Sequence, residues 1–154
     1  MKKLLPWVRK GHAYDEYAER RAKQYIKFDG YRPFMSTYLC ATLLHEACNF
    51  TEALEWLNKA EPLMEFVDDK VCYNYLAGSC HAHLKDYAKA KECYDSNLQY
   101  DKRVTDETHA IPWSLCGLAE IAVLERQFEA AENFIRRARY AGIRQRECAS
   151  TRDG

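Results

Sequence analysis

Three stretches of the chain align with one another without gaps, and each contains two helix-period runs joined by a short polar turn. They cover residues 37–60, 74–97 and 115–138, so equivalent residues are 37 and then 41 positions apart. One helical pair of this kind cannot bury its own apolar face, and neighbouring pairs must therefore stack on one another. The repeat predicts an all-α fold, a right-handed α-solenoid of about three helical hairpins.

The residues that recur in the three stretches are those that a packed helical face needs. An aromatic residue opens each second helix, an alanine follows three residues later, and a large apolar residue comes four residues after that. Spacings of three and four place these residues on one helical face, and small residues allow close helix packing. The recurring columns are Phe50, Tyr87 and Phe128; Ala53, Ala90 and Ala131; Leu57, Tyr94 and Ile135; Ala60, Asn97 and Ala138; and Ala41, Gly78 and Ala119.

These columns resemble the tetratricopeptide repeat (TPR) pattern, in which small residues let two antiparallel helices approach and an aromatic residue fills the space between them. The spacing departs from the usual repeat of about 34 residues. The additional residues fall in 61–71 and 98–112, which predicts either long second helices or long loops there. The alternative to a repeat array is a helical bundle made of three unrelated amphipathic hairpins.

We expect a single domain over residues 1–154. It divides into an N-terminal arm and helix (1–33), three repeats (34–70, 71–111 and 112–143) and a polar tail (144–154). An apolar stripe followed by Asp29-Gly30 predicts the extra N-terminal helix over residues 12–28, and Trp7 in the preceding arm is a docking candidate. Gly142 is expected to end the last helix, which would leave the third repeat without a capping helix.

The stretch EALEWLNKAEPLM (52–64) resembles a repeat helix of the interferon-induced TPR proteins, in which a similar Ala-Leu-x-x-Leu-x-x-Ala-Glu-x-Leu-Met run recurs. Those proteins are cytosolic, and several bind 5′-modified single-stranded RNA in a basic tunnel. The resemblance implies an alternative function in innate immunity, as an RNA-binding effector of the antiviral type. This chain is too short for such a tunnel, so we transfer no RNA-contacting residue from that family.

The TPR resemblance also implies where a partner would bind, because the first helix of each repeat lines a concave groove. The columns that face it are aromatic, apolar and mildly polar, which suits an extended or helical peptide with a few anchors. We therefore predict a non-enzymatic protein–protein interaction scaffold, although the same aromatic residues can instead be buried against neighbouring helices. The candidate groove residues are Tyr38, Thr42, His45, Tyr75, Ser79, His83, Trp113 and Glu120, with Met35 and Cys72 on the same surface.

One class of partner is disfavoured. TPR proteins that dock the C-terminal tails of chaperones resemble one another in a carboxylate clamp of Lys, Asn and Arg. Because none of the corresponding residues here is positively charged, they provide no cation for a carboxylate. These residues are Tyr38, Thr42, Leu76, Trp113 and Gly117.

Charge is balanced over the whole chain, with 23 basic and 23 acidic residues, but it is unevenly distributed. Residues 1–33 contain nine basic and four acidic side chains, whereas residues 34–70 contain two basic and seven acidic ones. The last stretch is again basic, and its arginines lie beside Tyr140, a base-stacking candidate. Basic and aromatic residues together suit RNA. The RNA-binding candidates are Arg136, Arg137, Arg139 and Arg144.

The seven cysteines and five histidines do not form a recognisable reactive or metal-binding motif. The cysteine count is odd, CxxC is absent, and most cysteines fall at apolar helical positions, which favours reduced thiols in a cytoplasmic protein. Cys80 and His83 are the best metal-ligand candidates, with His45 or Cys116 across the groove, but we expect them to be core and groove residues. We predict no catalytic residue, no metal, no cofactor and no membrane association. Self-association through the uncapped C-terminal repeat, at Ile135 and Ala138, is a further mode of assembly.

Overall fold

The computed structural model describes residue 9 and residues 12–151, with side chains at residues 9, 12, 15 and 18–142. Every regular element in this part of the chain is helical. The helices form three antiparallel hairpins, α2–α3, α4–α5 and α6–α7, and each hairpin packs on the next. The all-α helical-repeat prediction is confirmed. The helices are α1 (Ala13–Lys27), α2 (Pro33–Glu46), α3 (Phe50–Ala60), a 3₁₀ turn (Glu61–Leu63), α4 (Val67–His83), α5 (Tyr87–Leu98), α6 (Ala110–Leu124) and α7 (Phe128–Thr151).

The first helix of every hairpin ends in the same way. In the turn after α4, the Lys85 N–H donates to the Ala82 carbonyl at 3.0 Å, and the Asp86 N–H donates to the His81 carbonyl at 2.9 Å. This pair of bonds is a Schellman motif, which needs one residue in the left-handed backbone region. Such a residue is usually glycine, since other L-residues pay about 1–2 kcal/mol for that conformation. Here the left-handed residues of the three hairpin turns are Cys48 (φ 60°), Lys85 (63°) and Arg126 (60°), and Asp29 (53°) adopts the same conformation after α1.

The predicted small-residue columns form the contacts between helices. Ala53 and Ala90 are fully buried and Ala131 is 3% exposed, so the second helix of each hairpin presents an alanine to its neighbours. The next column differs between repeats. Leu57 is fully buried because α4 packs on α3, whereas Ile135 at the equivalent position of α7 is 46% exposed. The difference follows from the stacking order, since no helix packs on this face of α7 within the described part of the chain.

The closest approach between repeats is made around the ring of Tyr94. This side chain points from α5 into the space between α4 and α6, and it is 4% exposed. Gly78 of α4 and Gly117 of α6 lie on its two sides. A Cβ atom added to Gly78 would lie 2.7 Å from the ring, and one added to Gly117 would lie 2.5 Å from it. Both distances are shorter than van der Waals contact, so only glycine leaves room for the ring.

Of the expectations about the two ends of the chain, one is wrong, one is confirmed and one falls outside the described residues. Helix α7 runs through Gly142 to Thr151, so the prediction that Gly142 ends the last helix is wrong, and residues 144–151 of the predicted polar tail are helical. A single glycine costs a helix about 1 kcal/mol, which is too little to terminate it without a left-handed turn. The predicted N-terminal helix is present as α1. Trp7 lies outside the described residues.

The additional residues between repeats have two different structures. After α3 they continue as the 3₁₀ turn Glu61–Leu63 and a short connection to α4. Between α5 and α6 they form a loop over residues 99–109, which includes two short turns closed by backbone hydrogen bonds from Tyr100 and Val104. The second connection is therefore a long loop, and its position next to the start of α6 matters for the site described below.

Replacement of Gly117 by alanine tests the packing around Tyr94. We expect Gly117→Ala to lower the free energy of unfolding by about 1–3 kcal/mol, because the new methyl group overlaps the buried ring. The same replacement at Gly142 is the matched control. Nothing lies within 4 Å of a Cβ at that position, so Gly142→Ala should stabilise α7 by up to about 1 kcal/mol. Urea unfolding monitored by circular dichroism measures both, and equal effects would contradict the steric account.

A glycine in a left-handed corner should have the opposite effect from a glycine inside a helix. We expect Lys85→Gly to raise the free energy of unfolding by about 0.5–1 kcal/mol, because glycine adopts the required positive φ without steric cost. Ala88→Gly, three residues later in α5 and on an exposed position, is the control and should destabilise by about 1 kcal/mol. A loss of stability in both variants would show that the corner is not strained.

Candidate partner-binding groove

The first helices of the three hairpins place their predicted groove residues side by side. The His45 Nε2 on α2 lies 2.8 Å from the Ser79 Oγ on α4. The rings of His45 and His83 are 5.7 Å apart, and those of Tyr75 on α4 and Trp113 on α6 are 5.5 Å apart. Side chains from α2, α4 and α6 thus form one continuous surface, which we call the groove.

The three aromatic anchor candidates differ in how much of the side chain reaches solvent. Trp113 is 53% exposed. Tyr75 is half-buried, since it lies against both Trp113 and Tyr94. Tyr38 is also half-buried, stacked on Phe34 with the ring centroids 5.6 Å apart. Of these three, Trp113 is therefore the side chain most accessible to a ligand, and Tyr75 packs against it from the core side.

Two groups of residues assigned to the groove lie elsewhere. Met35 and Cys72 are 6% and 3% exposed, so they belong to the core under Tyr38 and not to the surface. Among the positions compared with a carboxylate clamp, Leu76 is 3% exposed and Gly117 faces Tyr94. These residues face the interior between the helices, because neighbouring positions on a helix point in different directions from the groove positions.

The groove histidines and the cysteines beneath them are poorly suited to acid–base or nucleophilic chemistry. Burial, and then the charge of His83, lowers the pKa of His45. Burial raises the pKa of the Cys80 thiol to about 12. A thiol with such a pKa is neither a nucleophile nor a ready metal ligand at neutral pH. Within the described residues, no group of three or more His, Cys, Asp or Glu side chains is placed to hold a metal ion.

An acidic site at one end of the groove was not predicted from the sequence. It is built by the long loop before α6. The Asp68 carboxylate, at the start of α4, accepts hydrogen bonds from the backbone N–H groups of Thr105, Asp106 and Glu107 at 3.2, 2.8 and 2.8 Å. These bonds fix the loop so that Glu107 points inward, where it is 5% exposed. We call Asp68, Asp106 and Glu107 the acidic end of the groove.

Helix α1 is attached to this acidic end. The Arg21 guanidinium lies 3.0 Å from a Glu107 carboxylate oxygen and 3.3 Å from the Met35 sulfur. One turn later, the Gln24 side chain donates a hydrogen bond to Asp106 at 3.2 Å. Burial raises the pKa of Glu107, and Arg21 opposes that rise. The ion pair thus joins α1 to the loop across 86 residues of sequence.

The acidic end is continuous with the aromatic part of the groove through His109. Its ring lies 5.2 Å from that of Trp113, and its Nδ1 atom is 3.6 Å from Glu107. Burial, followed by the charges of Arg20 and Arg21, lowers the pKa of His109 to about 4. The imidazole is therefore neutral near pH 7, so its contact with Glu107 is a polar contact and not an ion pair.

The connection from α1 to α2 is fixed by Arg32. Its guanidinium pairs with both oxygens of the buried Asp69 carboxylate, with one bond of 2.8 Å. It also lies 5.2 Å from the centre of the Phe28 ring and 4.6 Å from that of Phe66. Asp69 itself accepts hydrogen bonds from the backbone N–H groups of Glu65 and Phe66, at the start of α4. Arg32 therefore anchors the chain immediately after α1.

The residues named for RNA binding do not form a common surface with the groove. Arg136 and Arg137 border a separate cavity of about 390 Å³ between α5, α6 and α7, together with Leu98, Asp101 and Tyr140. Arg139 is exposed on α7, and the side chain of Arg144 lies outside the described part. In the basic N-terminal segment, the Arg21 guanidinium forms an ion pair with Glu107.

The predicted groove residue Glu120 is exposed on α6.

Comparison with known proteins agrees with the repeat architecture. Residues 69–139 match the tetratricopeptide repeat family model, a segment that begins in α4 and ends within α7. This match supports a TPR-type protein, and TPR repeats generally mediate protein–protein interactions. No curated protein and no solved structure matches the chain. The resemblance to the interferon-induced TPR proteins is therefore not supported.

The six cysteines with described side chains are free. Among the described residues, no helix has the length and hydropathy needed to span a membrane.

Acidification should destabilise the groove through His45. Its folded-state pKa is lowered from 6.5, so below pH 6.5 the unfolded chain takes up a proton that the folded protein resists. Stability is consequently lost as pH falls from about 6.5 through the lowered pKa. We expect His45→Gln to reduce the difference in unfolding free energy between pH 7.5 and pH 5. Urea titrations at both values measure it, and an unchanged difference would exclude His45 as the cause.

Proposed function

We propose that this chain is a non-enzymatic scaffold that binds a peptide or protein segment in its groove. The observation that carries the proposal is the exposed Trp113 ring, held against Tyr75 at 5.5 Å. A large aromatic side chain that remains half exposed on a rigid helix offers apolar area at small entropic cost, which is the usual character of a binding hot spot. The general role of TPR repeats in protein–protein interaction supports the same function.

The groove suits a helical or extended segment better than a small molecule. Its residues come from three successive helices, α2, α4 and α6, and they form an open surface instead of an enclosed pocket. Its polar groups, such as Thr42, Ser79 and Glu120, lie beside the aromatic ones and can bond to a peptide backbone. A surface of this kind recognises a partner through a few apolar anchors with polar contacts around them.

An enzymatic function finds no support in these side chains. The buried thiols are held neutral, as the raised pKa of Cys80 illustrates. The groove histidines His45 and His83 face each other, without a hydrogen-bonded carboxylate to orient either ring among the described residues. Nucleophilic catalysis needs such an activated pair. RNA binding, a cytoplasmic location and self-association through Ile135 stay predictions, since no specific contact favours them.

Photo-crosslinking from the groove tests the proposal. We expect a benzoylphenylalanine placed at Trp113 to crosslink a discrete protein in a cytosolic extract, because that side chain contacts the ligand. The matched control is the same group at Trp56, a tryptophan of α3 that packs on the first hairpin away from the groove.

A mutation makes the crosslinking quantitative. Once the crosslinked partner is purified, Trp113→Ala should weaken its binding by about 2 kcal/mol, close to thirtyfold, as for a hot-spot residue. Leu43→Ala, which removes an exposed apolar side chain from α2, serves as the reference and should leave binding nearly unchanged. Equal crosslinking from Trp113 and Trp56, or equal affinity of the two alanine variants, would place the binding site outside the groove.

A further inference from the structure

Helix α1 is held to the repeats in a different way from every other helix. Helices α2 to α7 pack through closely approaching backbones and buried small residues, whereas the described residues show no comparably close backbone packing of α1 on the hairpins. Two long polar side chains of α1 contact the groove: Arg21 contacts Glu107 and Met35, and Gln24 contacts Asp106. An ion pair and a side-chain hydrogen bond are contacts that a separate peptide can also make with the same two carboxylates.

The groove itself requires a positive charge at this point. Glu107 is 5% exposed and is held in place by the hydrogen bonds from its loop to Asp68. A buried carboxylate is tolerated when a cation pairs with it, and removal of that cation leaves an uncompensated charge. In the described part of the chain, Arg21 of α1 supplies this ion pair. Any segment that replaces α1 must therefore bring a cation of its own.

The geometry around Glu107 favours an arginine over a lysine. The guanidinium of Arg21 reaches the carboxylate and the Met35 sulfur at the same time, at 3.0 and 3.3 Å. Both contacts are made by the same nitrogen, and the pair is largely buried, with side-chain exposures of 17% for Arg21 and 6% for Glu107. A guanidinium is more weakly hydrated than a compact ammonium, so its burial beside Glu107 costs less free energy. The neighbouring Asp68 and Asp106 add negative charge, which repels an acidic peptide or a phosphate backbone.

We infer that the groove binds an amphipathic helix that places an arginine on Glu107 and apolar side chains on Tyr75 and Trp113, and that α1 occupies the Glu107 end of this site in the free protein. This inference rests on the proposed function and specifies the chemistry of the partner. The positions of three neighbouring side chains support it. Glu107 and His109 lie in the loop that leads into α6 and Trp113 lies in its first turn, with His109 in contact with both of the others. A helix seated on Glu107 therefore extends naturally toward the aromatic anchors.

A synthetic peptide with the sequence of residues 12–30 is the probe, and the full-length chain is its receptor. We expect fluorescein-labelled probe to bind the Arg21→Gln protein at least about tenfold more tightly than the wild-type protein, because the variant releases its own α1. Lys23→Gln is the matched control in the same helix. Lys23 is exposed and pairs with Glu19 four residues away, so this variant should behave as the wild type. Fluorescence anisotropy measures all three.

Substitutions in the probe and in the receptor test whether the arginine of the probe contacts Glu107. A probe that carries Arg21→Gln should bind the Arg21→Gln protein at least about tenfold more weakly than the unmodified probe, while a Lys23→Gln probe should bind normally. A Glu107→Gln replacement in the receptor should remove the preference for arginine. Hydrogen exchange of the α1 amides reports release of the helix, and an unchanged thermal midpoint for the remaining helices shows that the receptor stays folded.

The outcomes separate this inference from the proposed function. Equal binding of the probe to the wild-type, Arg21→Gln and Lys23→Gln proteins, with crosslinking from Trp113 retained, would overturn the arginine assignment and leave the groove as a binding site. Equal affinity of the two glutamine probes would overturn it in the same way. Loss of both probe binding and Trp113-specific crosslinking would overturn the two together. Competition by a poly-glutamate peptide or by single-stranded RNA as strong as that of the unlabelled probe would also contradict a basic ligand.

Discussion

The ring of Tyr94 sets the distance between the second and third hairpins. It lies between Gly78 and Gly117, and the two glycines bring the backbones of α4 and α6 to the ring on both faces. The same two helices supply Tyr75 and Trp113 to the groove, and Tyr75 also leans on Tyr94 with the ring centroids 6.4 Å apart. The spacing of the aromatic anchors is thus determined by a core contact beneath them. A substitution at Gly78 or Gly117 would therefore alter the spacing of Tyr75 and Trp113.

The departure from regular repeat spacing is what gives the groove its charge. A connection of ordinary length between α5 and α6 would have no room for residues 101–107. Here the loop is folded back by Asp68 and delivers Glu107 to the start of the groove. Two neighbouring carboxylates at the beginning of α4 therefore have separate structural roles. Asp68 holds the loop, while Asp69 holds Arg32 and the connection to α1. Both also lie at a helix N-terminus, where negative charge is favoured.

The helical-hairpin architecture could be predicted because it is encoded locally and repeatedly. Ala53, Ala90 and Ala131 occupy the same position in each repeat, and their spacing from the neighbouring apolar residues indicates helix packing within a short stretch of sequence. The candidate groove residues were chosen from the same helical period, although Met35 and Cys72 are buried in the core beneath the groove. Gly142 was misread because a glycine signals a helix end only when the backbone turns left-handed, and here the helix continues.

The acidic end and the docking of α1 could not be predicted in this way. The Arg21–Glu107 pair links residues that are far apart in sequence, and neither belongs to a periodic column. The sequence did carry one pointer, the spacing of 41 residues between the second and third repeats, since a long insertion with acidic residues needs a structural reason. The left-handed turns at Cys48, Lys85 and Arg126 could not be predicted either, because glycine is the residue from which such turns are normally recognised.

The shortness of the connection after α1 has a consequence for how the groove would respond to a ligand. Only residues 28–32 separate α1 from α2, and Arg32 at the end of this segment is fixed by Asp69 and two phenylalanine rings. Asp29 (φ 53°) and Gly30 (φ 140°), both with positive φ, form the turn of this connection. A tether of this length maintains an effective concentration in the millimolar range at the site. Under the proposed inference a free segment competes with α1, so its apparent dissociation constant at the groove is raised by a constant factor that depends on the tether and on the affinity of α1 for the Glu107 end.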